Sequence, residues 1–91
     1  MPLPHTEMDR RLYEAIGHSI RSLRTERGLT QAALGAAIGA AKRSASVLVS
    51  RAEHGRQRFT VAEVYRYAEG LGADPHDLLP PAWRILLDEE E

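Results

Sequence analysis

Apolar residues recur along this chain at the three- and four-residue steps of a helix, and almost nowhere do they alternate with period two. In the first segment Leu12, Ile16, Ile20 and Leu23 form one stripe. Thr6 with Asp9 can cap its start, and Gly28 follows a basic last turn holding Arg24 and Arg27, which predicts a helix over about 7–27. Thr30 can cap a second, shorter helix whose inward face would be Ala33, Leu34, Ala37 and Ile38 before Gly39 interrupts. Gly35 inside that helix costs roughly 1 kcal/mol relative to alanine, which predicts a tight crossing with another backbone close by. Thr60 and Glu63 have the spacing of a capping box, and Val61, Val64, Tyr65, Ala68 and Leu71 then form a stripe that ends before Gly72. Asp74, Pro75 and Asp77 read as cap, first helical residue and dipole charge of a short fifth helix carrying Leu78 and Leu79, stopped by Pro80 and Pro81. The fold class predicted is all-α.

Between the second helix and the capping box lies "SASVLVSRAEHG", residues 44–55. At about 100° per residue, Ala45, Leu48, Val49 and Ala52 fall on one side, the spacing of a core face. Ser46, Val47, Ser50, Arg51 and His54 fall opposite, with Arg43 near that side if the helix starts early enough. This outer face is cationic, short in its side chains and free of carboxylate, whereas an ordinary solvated face carries Glu and Lys in pairs. Short side chains let a helix enter the major groove of duplex DNA. There serine can bond several base edges, valine can touch a thymine methyl, and arginine can grip guanine with two hydrogen bonds. Lys42, Arg43, Arg56 and Arg58 flank the helix where phosphates would run. The competing reading is a plain surface helix of accidental polarity.

Charge sharpens this picture. The 91-residue chain has a net charge of −1, but residues 20–60 hold eight basic side chains (Arg21, Arg24, Arg27, Lys42, Arg43, Arg51, Arg56, Arg58) against Glu26 and Glu53, giving +6. Residues 1–19 hold two against three and residues 61–91 two against eight, giving −1 and −6. Such segregation can build a local positive face, unless folding remixes the signs in space. A chain of this length buries only about 60 to 65% of its unfolded surface, too little for a roomy enzyme pocket. Without cysteine neither a disulfide framework nor a thiolate zinc site is possible. No apolar run approaches the roughly 20 residues that span a bilayer, and "MPLPHTEMDRR" lacks the apolar middle of a signal peptide, so a cytoplasmic protein without membrane contact is expected.

The order "IGHSIRSLRTERGLTQAALGAAIG", "VSRAEHG", "TVAEVYRYAEGLGADPHDLLP" resembles the Cro/C1-type, or XRE, helix-turn-helix family over residues 16–80. An arginine before a Gly-Leu-Thr-Gln turn, an alanine-rich second helix, Glu-x-Gly closing the third and a Leu-Leu ending carry the likeness. The stretch Thr60–Pro80, with the longer central segment, is also similar to the DNA-binding domain of BldD-like actinobacterial regulators. The resemblance implies a compact five-helix bundle of the lambda-repressor-like type. It further implies a transcriptional regulator, a repressor in the first instance, that binds double-stranded DNA as a homodimer on a palindromic operator. No cofactor, metal or small-molecule ligand is expected. Carried onto this sequence, Thr30 and Gln31 would touch DNA backbone, Ser46, Val47, Ser50 and Arg51 would face bases, and His54, Arg56, Gln57 and Arg58 would line phosphates. Arg24 and Glu53 match positions that commonly form a structural ion pair between helices one and three. The chain departs from the family in about four extra residues within "GAAKRSAS", which either lengthen the turn or start helix three a turn early and put Lys42 and Arg43 at its leading end. Gly35, where the family usually has alanine, is a small departure with little expected consequence.

The domain organisation that follows is an N-terminal extension and helix start over residues 1–15, the DNA-binding domain over 16–80, and an apolar segment with an acidic tail over 81–91. In that last segment Trp83, Ile85, Leu86 and Leu87 call for a partner surface, either the monomer's own core or a second copy, and Asp88 to Glu91 read as a frayed end. The four histidines, at 5, 18, 54 and 76, are too widely spaced for a metal-ligand pattern. Ser50 and His54, one turn apart, could suggest a nucleophile and base, but no orienting acid can be named. The stronger alternative is a protein-binding adaptor or antitoxin-like module on the same scaffold.

Overall fold

A computed structural model describes residues 5–81 together with Ile85. Among the described residues the chain forms four α-helices and no strand: α1 (His5–Glu26), α2 (Gln31–Ala37), α3 (Ala45–Glu53) and α4 (Val61–Leu71). Helix α1 already includes Thr6, which therefore does not cap it, and it runs unbroken past residue 15. Its exposed first turns are tied by ion pairs of Arg10 with Glu7 and Glu14. The caps of the next helices form as the residue types dictate. Thr30 Oγ1 accepts the Ala33 N–H at 3.0 Å, and at α4 the Thr60 hydroxyl and the Glu63 carboxylate each accept the other residue's main-chain N–H.

The expected fifth helix is a single 3-10 turn, Pro75–Asp77. Asp74 caps it, but the bonds that follow, from Asp77, Leu78 and Leu79 back to Asp74, Pro75 and His76, all span three residues. Pro80 supplies no N–H to continue a helix and pushes Leu79 away from helical backbone angles, so the turn stops there.

Ile16 and Ile20 of α1, Leu34 of α2, Val49 and Ala52 of α3, Val64, Tyr67, Ala68 and Leu71 of α4, and Leu78 make the core. Leu12 and Leu23 pack at its edge, completing the first stripe. Helix α4 departs from its expected register: Val61 and Tyr65 are 75% and 60% exposed, and Tyr67 is buried instead. Both sets have helical spacing, and the packing of the Tyr67 ring edge-on against Phe59, with centroids 5.8 Å apart, selects the second. Ala33 and Ala37 are exposed as well, leaving Leu34 and the half-buried Ile38 as the apolar face of α2. Burial pushes the Tyr67 phenol up to about 12, with the Glu63 and Glu53 charges adding to the effect. Its hydroxyl has no hydrogen-bond partner among the described residues.

Gly35 is where α2 and α3 cross. A Cβ added there would stand 2.6 Å from both the Cβ and the carbonyl oxygen of Ala45 and 2.7 Å from its Cα. The predicted close backbone is therefore α3 itself. The departure from alanine is also of consequence, because an alanine would hold these two helices apart at this spacing.

At the far end Ile85 is buried, and its carbonyl accepts a hydrogen bond from Arg11 Nη1 at 3.4 Å, so the chain returns to α1 at this residue. Trp83, Leu86, Leu87 and the acidic end lie outside the described residues.

Candidate nucleic-acid interface

Helices α2 and α3 are joined by residues 38–44, of which Lys42–Ser44 form a 3-10 turn running straight into α3. The extra residues thus lengthen the turn, and α3 begins only at Ala45. Lys42 and Arg43 stand exposed on that turn, immediately ahead of the helix.

The end of α3 is anchored from below. Glu53, with a side chain only 2% exposed, receives Arg24 Nε at 2.5 Å and Arg24 Nη2 at 3.2 Å, a two-pronged contact between α1 and α3. Arg24 Nη1 also donates to the Leu29 carbonyl at 2.8 Å, and Gln31 Nε2 donates to Glu53 Oε1 at 3.1 Å. One carboxylate therefore ties α1, the start of α2 and the end of α3 together. One N–H of the half-buried Gln31 is spent on this contact, and the rest of its amide has no partner among the described residues. Thr30 uses its hydroxyl as the cap of α2.

Ala45, Val49 and Ala52 anchor the inner side of α3. Ser46, Val47, Arg51 and His54 are exposed and Ser50 is half-buried, so these residues share the outer side. Leu48, expected in the core, is 37% exposed beside Val47, which is 61% exposed. It lies on the flank of α3 that turns toward α4, and periodicity alone could not separate that flank from the buried centre. The His54 ring Nδ1 lies 2.7 Å from the main-chain carbonyl of Ser50 rather than bonding its hydroxyl, so the pair is not arranged as nucleophile and base.

Arg56 and Arg58 are exposed on the loop after α3, and Gln57 between them is half-buried. Val47, Leu48, Arg51, Arg56, Arg58 and Glu63 border a cavity of about 400 Å³. Its one carboxylate, Glu63, is engaged in capping α4. Among the described residues Lys42, Arg43, Arg51, Arg56 and Arg58 pair with no carboxylate, whereas Arg10, Arg11, Arg24 and Arg27 all do. Acidic side chains thus engage Arg10, Arg11, Arg24 and Arg27, while the cations around α3, like Arg21 and Arg66 elsewhere, stand unopposed among the described residues. Sequence reasoning overlooked Leu48 and Glu63 as walls of this cavity, since each already had a satisfactory role as core residue or cap. No three His, Cys, Asp or Glu side chains gather as a metal site requires among the described residues.

Two short helices crossing at a glycine, the second presenting short polar and cationic side chains outward, define a helix-turn-helix protein. Residues 15–80 match the model of a helix-turn-helix domain, and the chain belongs to that family. Among solved structures it is similar to a hypothetical transcription factor, NHTF, from Neisseria, at 25% identity and a TM-score of 0.67, covering 92% of this chain and 88% of that one. It also shares the fold of the restriction-modification controller protein C.AhdI from Aeromonas hydrophila, with a TM-score of 0.62 and 23% identity over 82% of this chain and 100% of that one. No curated protein matches the sequence. Among the described residues no helix is long and apolar enough to cross a membrane.

Proposed function

We propose that this chain is a sequence-specific, double-stranded DNA-binding transcriptional regulator that reads the major groove with α3 and represses by occupying its operator. The observation that carries this reading is the outer side of α3, where unpaired cations surround short polar side chains and no free carboxylate intrudes. Ser46, Val47, Ser50 and Arg51 face base edges. Lys42 and Arg43 ahead of the helix, His54, Arg56, Gln57 and Arg58 after it, and Thr30 with the free part of the Gln31 amide hold phosphates on either side. The likeness to a hypothetical transcription factor at 25% identity supports the same assignment. A homodimer would set two copies of α3 about 34 Å apart, one turn of DNA, on an inverted repeat.

The test starts by selecting bound duplexes from a fragment library at about 50 mM salt and titrating salt against the best of them, where each neutralised phosphate contributes roughly 0.9 to the logarithmic slope. Arg51→Ala should weaken the selected site by about 1–3 kcal/mol and relax preference at one base pair, whereas Arg58→Ala should weaken all duplexes alike and lower the slope by about one. Equal losses for both variants on selected and random DNA would remove the assigned roles. A wild-type chain that enriches no duplex would return the fold to the adaptor reading.

A further inference from the structure

The helix-turn-helix match begins at residue 15, but α1 begins at His5, so residues 5–14 add nearly three helical turns, about 15 Å, ahead of the domain. This added length lies along the loop that carries Arg56, Gln57 and Arg58. At one end of the loop the Tyr13 ring meets Phe59 with centroids 6.1 Å apart, and Phe59 in turn meets the buried Tyr67. At the other end Gly55, with φ at +71°, comes so near α1 that a Cβ there would stand 2.7 Å from Glu14 Cγ and 3.0 Å from Glu14 Cα. Between the two contacts a groove of about 290 Å³ separates Asp9 and Arg10 from Arg56 and Arg58. The start of the loop is tied to the end of α3, where Gly55 and Arg56 donate their main-chain N–H groups to the Ala52 and Arg51 carbonyls at 3.1 and 3.0 Å, and Thr60 at its far end donates to the Glu63 carboxylate at 2.8 Å. Among the described residues the N–H groups of Gln57 and Arg58 in between have no partner. The middle of the loop, Gln57 and Arg58, is thus held by no main-chain N–H bond of its own and lies between two contacts with α1.

We propose that the N-terminal turns of α1 are a brace that pre-sets Arg56 and Arg58 for DNA phosphates, with Tyr13 as the positioning residue acting through Phe59. The proposal rests on the reading of this loop as a phosphate contact. A loop already held in its bound shape loses less freedom when DNA arrives, and its affinity is higher by that difference. Tyr13 is far enough along α1 from the Arg24–Glu53 anchor that its loss should loosen the loop and spare the crossing of α2 and α3.

The experiment compares full-length wild type, Tyr13→Ala and Tyr13→Phe, each also in a background carrying Arg56→Ala and Arg58→Ala. Backbone order parameters of residues 55–59 are measured in the free protein, and affinity for a random-sequence duplex across salt. Tyr13→Ala should lower the order parameters of Gln57 and Arg58 from about 0.85 toward 0.6. It should weaken binding about 3- to 10-fold on selected and random DNA alike, and Tyr13→Phe should restore both. In the doubly substituted background the effect on affinity should vanish. Unchanged order parameters in Tyr13→Ala overturn the brace whether or not the protein binds DNA. An equal loss of affinity in both backgrounds overturns it too, since Tyr13 would then act elsewhere. Should Tyr13→Ala unfold, Gly55→Ala disturbs the other contact and is judged by the same coupling. A wild type that holds the loop rigid yet binds no duplex counts against the DNA reading instead.

Discussion

Replacing Gly35 by alanine sets two effects of opposite sign against each other. Alanine in a helix interior gains about 1 kcal/mol over glycine. The new methyl, however, would be placed 2.6 Å from the Cβ and carbonyl oxygen of Ala45 and 2.7 Å from its Cα, and two of those three atoms are main chain. To restore an ordinary carbon–carbon separation of about 3.5 Å, α2 and α3 must part by roughly 1 Å. Overpacking typically costs 1–3 kcal/mol, and with backbone as the obstacle the upper end applies, about 3. The net is a loss of about 2 kcal/mol, or roughly 8–16 °C in Tm for a chain of this size. Gly70→Ala is the internal control. There a Cβ would meet Ile38 Cγ2 at 3.1 Å, Leu34 Cδ1 at 3.2 Å and Ala37 Cβ at 3.4 Å, side-chain atoms of which the first two can yield by a few tenths of an ångström. Gain and cost then roughly cancel, leaving a change below about 1 kcal/mol. Urea denaturation followed by circular dichroism reads both variants, provided that only the midpoint moves and the slope stays constant. If Gly35→Ala is as stable as wild type, or if Gly70→Ala loses as much as Gly35→Ala, the tight crossing is not what demands glycine.

Two further outcomes follow from the buried polar groups. Arg24→Met leaves the Glu53 carboxylate buried with Gln31 as its remaining side-chain partner, so a loss of about 3–5 kcal/mol is expected, and adding Glu53→Leu should recover much of it; a single variant as stable as wild type would show that the pair is not desolvated. Tyr67→Phe removes a buried hydroxyl that lacks a partner among the described residues, so stability at neutral pH should hold or rise by about 1–3 kcal/mol. Because the folded phenol is pushed up to about 12 from an ordinary value of 10, its contribution is full below pH 10 and lost as pH climbs toward 12. Wild type should therefore weaken over that window more steeply than Tyr67→Phe, and parallel pH profiles from denaturant titrations would contradict the burial of this group.

Much of this protein is written in neighbours along the chain. Thr30, and Thr60 with Glu63, start helices because a side-chain oxygen needs only the N–H three residues ahead, and the outer side of α3 follows from a rotation of 100° per residue. Matching Arg24 with Glu53 required the family resemblance, since no local rule links positions so far apart in the chain. Tertiary packing alone decided which of two helically spaced stripes α4 buries, because Tyr67 gains its place from Phe59 and Tyr13, and it left Leu48 on the rim of a cationic cavity. It also turned Gly35 from a tolerable weakness into a requirement, gave residues 38–44 their path into α3, and laid the first turns of α1 against the arginine loop. The division has a physical cause: caps and periodicity depend on atoms within four residues, whereas burial and close approach depend on which surfaces meet once the helices have packed.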